Sequence, residues 1–103
     1  GQLSIARNPL LTSLNGLQNL TSIVGHLVLD GNTSLQTLNG LDNLASVLTL
    51  SLVNTNLLNL SGLDNLTSLS TLYVTGNNNM AFNFSGLTNL TAITNLGLSI
   101  LPN

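Results

Sequence analysis

Two rhythms of apolar residues alternate along this chain. In the first, Leu, Ile or Val returns every third residue: Leu17, Leu20, Ile23; Leu41, Leu44, Val47; Leu63, Leu66, Leu69; Leu87, Leu90, Ile93. A spacing of three suits a 3₁₀ turn or an irregular arc with one inward face. It is too short a run for an independent helix. In the second rhythm the apolar residue returns every second position: Leu3-Ser4-Ile5, Leu27-Val28-Leu29, Leu50-Ser51-Leu52, Leu72-Tyr73-Val74 and Leu96-Gly97-Leu98. That alternation predicts strands of about five residues with one buried face. Between strand and arc lie further apolar pairs, Leu11/Leu14, Leu35/Leu38, Leu57/Leu60 and Phe82/Phe84.

The two rhythms belong to one repeat. The block Gly-Leu-x-Asn-Leu begins at Gly16 and returns at Gly40, Gly62 and Gly86. A period of this size marks a supersecondary unit that cannot bury its own apolar face and must stack on its neighbours. The predicted architecture is mainly β: a β-solenoid rod. Each coil, of roughly 22–24 residues, contributes one parallel strand, with 3₁₀ or irregular turns elsewhere. Residues 1–103 read as a single array of about four periods without evident caps.

The pattern Gly1-Gln2-Leu3-Ser4-Ile5, Asn8, Leu11, Leu14, Gly16-Leu17, Asn19-Leu20, Ile23 resembles the leucine-rich repeats of the receptor L-domain type. The resemblance runs over essentially the whole chain. It implies a cell-surface or secreted protein, and it specifies architecture far more sharply than partner. Two departures stand out: the cysteine-bearing flanks common in receptor ectodomains are absent, and charged residues are unusually few.

Composition narrows the partners. Only Arg7, Asp30, Asp42 and Asp64 are charged, 4 % of the chain, for a net charge of −2. A typical soluble domain is about one quarter charged. Nucleic acid, which demands clustered Lys and Arg, is excluded as a partner, and an anionic membrane surface is disfavoured for the same reason. No run of apolar residues approaches the roughly 20 needed to span a bilayer. Without cysteine there is no disulfide or thiol chemistry. A surface so poor in charge needs another source of solubility, and six Asn-x-Ser/Thr sequons offer one in N-glycans: Asn19, Asn32, Asn59, Asn65, Asn83 and Asn89. The expected location is extracellular or at the cell surface.

Asparagine also recurs in phase. One column stands eight residues before each glycine: Asn8, Asn32, Asn54 and Asn78. Asn tolerates positive φ and bonds to nearby main chain, and stacked amides can bond along a stack. A second column, Asn19, Asn43, Asn65 and Asn89, lies three residues after each glycine. Three of its members are sequons; Asn43 is not, and its persistence favours a structural ladder over a row of glycans.

Other candidate sites weaken on inspection. His26 stands alone on an outward strand position, and no set of metal ligands gathers around it. Asp42 and Asp64 share one repeat position, but Gln18 and Thr88 occupy it in the flanking units, so no carboxylate row forms for a cation such as Ca²⁺. Arg7 and Asp30 fall close enough in the aligned coils to pair, a surface contact worth under about 1 kcal/mol. No serine or threonine has a base and orienter in prospect, so no enzymatic role, cofactor or metal is expected.

The outward strand positions, Gln2/Ser4/Ala6, His26/Val28/Asp30, Thr49/Ser51/Val53, Thr71/Tyr73/Thr75 and Asn95/Gly97/Ser99, form a small, neutral face. Tight protein-binding patches favour Tyr, Trp and Arg, and Tyr73 is the one tyrosine. Both ends break off at nearly the same phase, so the expectation is a segment of a longer array or copies stacked end to end in a fibre. The function expected is an extracellular structural solenoid whose partners are adjoining repeats or copies of itself, with possible covalent glycans. The alternative is a ligand-binding or adhesive segment of a cell-surface leucine-rich-repeat ectodomain.

Overall fold

A computed structural model describes residues 1–77, 79, 83, 85–91 and 93–99. Among these residues five strands, β1 (Gln2–Ala6), β2 (Ser22–Asp30), β3 (Ser46–Val53), β4 (Ser68–Thr75) and β5 (Asn95–Ser99), form one sheet in sequence order. All four pairings are parallel. No helix occurs among the described residues. Leu3, Leu27, Leu50, Leu72 and Leu96 stand side by side across the sheet, one from each coil. This is the expected solenoid of parallel strands.

The strands differ from expectation in length. β2, β3 and β4 span 9, 8 and 8 residues because they reach back to include Ile23, Val47 and Leu69. By spacing these three close the every-third rhythm, yet they pair across the sheet, Ile23 with Val47 and Val47 with Leu69. The arcs are therefore shorter than the triads imply. They are built from successive i→i+3 turns, Leu17 N donating to Leu14 O, Leu41 N to Leu38 O, Leu44 N to Leu41 O and Leu66 N to Leu63 O. No turn is long enough to count as a 3₁₀ helix among the described residues.

A bulge absorbs a change in repeat length. Between the Ile23/Val47 and His26/Thr49 pairs, β2 carries Val24 and Gly25 against the single residue Leu48. The extra residue makes Val24 point outward, 88 % exposed, and brings Gly25 into contact with Gly1, whose carbonyl oxygen accepts from His26 N at 3.0 Å. A side chain at residue 25 has no room there.

The core is a stack of leucine layers. Leu27 and Leu29, Leu50 and Leu52, Leu72 and Val74 point inward from the strands. Leu35/Leu38, Leu57/Leu60, Leu41/Leu44 and Leu63/Leu66 close the coil on the other sides, all with no exposed surface. Burying one such side chain contributes about 1.5–3 kcal/mol, so a layer of six is the main favourable term per coil. Phe82 and Phe84 lie outside the described residues.

The repeat glycine is fixed by two constraints at once. Gly40, Gly62 and Gly86 have φ of +113°, +109° and +114°. A Cβ on Gly40 would also collide with the carbonyl of Leu14 in the coil below, and one on Gly62 or Gly86 would press on Leu38 or Leu60. Close coil-to-coil approach is what this position provides. It lets Leu14 N, Leu38 N and Leu60 N donate to Asn39 O, Ser61 O and Ser85 O of the next coil, at 3.0, 3.1 and 2.8 Å.

Candidate functional site

The polar residues that stand in columns lie at four places around each coil. The first column follows the strand. Ala6, Asp30, Val53 and Thr75 are in register. The residue after each turns into the left-handed region: Arg7, Gly31, Asn54 and Gly76, with φ of +60°, +77°, +53° and +66°. Glycine and asparagine tolerate this conformation most readily. Arg7 and Asp30 are joined here by main chain, Arg7 N donating to Asp30 O at 2.8 Å, and no ion pair forms between them among the described residues.

One residue further on stand Asn8, Asn32, Thr55 and Asn77, the last three 0 %, 0 % and 1 % exposed. Asn32 Nδ2 donates to Ile5 O of the coil below at 2.8 Å, while its Oδ1 accepts from Asn8 N at 3.1 Å and Asn8 Nδ2 at 3.3 Å. Asn77 Nδ2 donates to Leu57 O at 3.1 Å, and its Oδ1 accepts from Asn79 N at 2.9 Å. The expected ladder Asn8, Asn32, Asn54, Asn78 therefore holds its phase only in the first two coils. Asn54 sits one place early, at the left-handed position, and Asn78 lies outside the described residues. Counting from the glycine fails because the loop between strand and glycine varies by a residue; counting from the strand finds Thr55 and Asn77. Thr55 cannot reproduce the amide, and its Oγ1 is buried without a partner among the described residues.

The column after the glycine behaves as a ladder between coils. Asn43 Nδ2 donates to Gln18 O at 2.7 Å and Asn65 Nδ2 to Asp42 O at 2.6 Å; Asn89 Nδ2 donates likewise to Asp64 O. The bonds run from amide to main chain, not from amide to amide, and the side chains remain exposed. Asn19 is exposed too and makes no such bond among the described residues. Asp42 and Asp64 supply their carbonyls to this ladder, and no cluster of three metal-ligating side chains exists among the described residues.

The fourth column has no single residue type, and sequence reasoning misses it. Three residues before each glycine stand Ser13, Thr37, Asn59 and Asn83. Each accepts the main-chain N–H two residues on: Asn15 N to Ser13 Oγ at 3.5 Å, Asn39 N to Thr37 Oγ1 at 3.1 Å, Ser61 N to Asn59 Oδ1 and Ser85 N to Asn83 Oδ1, both at 2.9 Å. Hydroxyl and amide oxygen both accept in this turn, the amides at the shorter distance. The signal lies in the exchange of Ser/Thr-x-Asn-Gly in the first two coils for Asn-x-Ser-Gly in the next two.

The outward strand face carries His26, Ser4, Ser51, Thr49, Thr71 and Tyr73. Tyr73 is 43 % exposed and lays its ring over Gly97, where a Cβ would come within 2.5 Å of the ring. Among the described residues no helix is long and apolar enough to cross a membrane. No protein-family model, curated protein or solved structure matches the chain.

Proposed function

We propose that the chain is a structural segment of an extracellular or cell-surface solenoid of the leucine-rich-repeat, receptor L-domain type, its coils continuing into adjoining repeats or into copies of itself. The observation that carries this reading is where the polar chemistry points. The recurrent side-chain amides and the glycine approach serve the contact between coils, while the outward sheet face is richest in Ser and Thr, with Tyr73 its one large aromatic side chain among the described residues. A surface of that kind supplies few anchors for a tight partner. A repeated coil-to-coil contact propagates in one direction without closing, which is the geometry of an array or fibre.

Imaging the native material by electron microscopy tests this. The proposal expects long assemblies with an axial repeat of about 20–25 Å, set by the inter-strand spacing of four to five coils. Short isolated particles at every concentration would remove the fibre. The adhesive reading has one specific observation in its favour, the exposed ring of Tyr73 on the sheet face. Loss of surface binding on Tyr73→Ser would favour it.

A further inference from the structure

The sequons Asn19, Asn32, Asn59, Asn65, Asn83 and Asn89 are equivalent as sequence, but the fold makes different use of their amides. Asn32 has no exposed surface, and its Nδ2 is held by Ile5 O. Asn65 and Asn89 turn Nδ2 toward the coil below and donate to it. Asn59 and Asn83 use only the oxygen: Oδ1 accepts from the serine of the same sequon, Ser61 or Ser85, at 2.9 Å. Their Nδ2 has no hydrogen-bond partner among the described residues, Asn83 is exposed, and Asn59 is partly so. Ser13 and Thr37 make the same turn with a hydroxyl in the earlier coils, so the amide nitrogen is dispensable to the turn.

We infer that Asn59 and Asn83, together with the exposed Asn19 of the first coil, whose amide makes no bond among the described residues, are the sites at which this solenoid accepts N-linked glycans without loss of a structural bond. In the transfer, Nδ2 forms a bond to the anomeric carbon of an oligosaccharide carried on a lipid diphosphate. The bond from that carbon to the diphosphate oxygen breaks, and the diphosphate leaves with the electron pair. One amide proton passes to a base. Oδ1 is untouched, so the turn bond to Ser61 or Ser85 survives. With Oδ1 pinned on that N–H, the other branch of the amide is directed away from it. Asn59 and Asn83 hold the same place in successive coils, three residues before Gly62 and Gly86, so their sugars stand on one side of the stack.

This inference rests on the extracellular reading for its biological setting only. The whole chain is therefore expressed in a eukaryotic host behind a secretion signal, which imposes that setting, and its peptides are mapped by mass before and after amide-cleaving glycosidase treatment. The expected result is sugar on Asn59, Asn83 and Asn19, none on Asn32, and lower occupancy on Asn65 and Asn89. A bare Asn59, Asn83 or Asn19 in all secreted molecules, sugar on Asn32, or equal occupancy on Asn65 and Asn89 overturns it. In sugar-free chain made in bacteria, the double variant Asn59→Thr, Asn83→Thr is expected to melt at the parent's temperature. A lowered melting temperature overturns the inference, and this readout stands even if the eukaryotic host retains the chain. Filament imaging is independent of both results, so failure of the fibre and failure of the glycan sites are told apart.

Discussion

The first and second coils carry the same block of sequence and bear different loads. Gly16-Leu17-Gln18-Asn19-Leu20 and Gly40-Leu41-Asp42-Asn43-Leu44 differ only at Gln18 and Asp42. Leu41 and Leu44 have no exposed surface, while Leu17 and Leu20 are only partly buried. A Cβ on Gly40 would collide with Leu14; one on Gly16 would meet nothing within 4 Å. Asn43 bonds to Gln18 O, and Asn19 has no counterpart bond among the described residues. Within residues 1–103, what separates the two coils is that the second has a coil beneath it. A leucine of this arc is fully covered when the preceding coil also lies against it, so stability resides in interfaces more than in coils.

That comparison can be broken by substitution. The largest effect is expected from Leu66→Asp, which puts a lone charge in a fully buried layer; far-UV circular dichroism should show loss of the folded state at room temperature. A parent-like melt would contradict the inward placement of Leu66. Next come the two glycines. Gly40→Ala should cost about 3 kcal/mol or more, since strained φ is compounded by displacement of the coil below. Gly16→Ala should cost only the strain, about 1–2 kcal/mol. Urea titration of both variants measures the gap, and equal costs would remove the role assigned to close approach.

A third pair sharpens the same contrast through packing. Leu44→Ala should lose about 2–5 kcal/mol, whereas Leu20→Ala, at the half-buried equivalent position, should lose about 1 kcal/mol. Denaturant midpoints give the ratio. The smallest expected effect has the opposite sign. Thr55 stands in the asparagine column with a buried hydroxyl that has no partner among the described residues, so Thr55→Val should raise stability by about 1 kcal/mol. A loss of that size would mean the hydroxyl has a partner after all.

The repeat period, the inward leucines and the parallel strand per coil are all legible in the sequence, because each is a periodicity and periodicity follows from backbone geometry. What misleads is the choice of origin. Phasing on the glycine puts Asn54 in the structural column, but loop length varies between strand and glycine, and the β2 bulge at Val24-Gly25 shifts the phase again. Register in a sheet is set by strand pairing, so Thr55 and Asn77 emerge only once the strands are aligned. Ile23, Val47 and Leu69 show a related limit. A residue can belong to a spacing of three and still be extended, because spacing alone does not fix the local dihedral angles. The turn column of Ser13, Thr37, Asn59 and Asn83 is in phase with the glycine throughout, but its members change residue type, and the shared acceptor is visible only as chemistry. Sorting the sequons by what each amide nitrogen touches requires coordinates.

Through-space proton contacts across the sheet test the stack most directly. In an isotope-labelled sample, the account predicts nuclear Overhauser effects linking the backbone of Leu27 with Leu50 and of Leu50 with Leu72, all in parallel register. Cross-strand contacts that run antiparallel, or sequential helical contacts through the arc of residues 41–45, would contradict it.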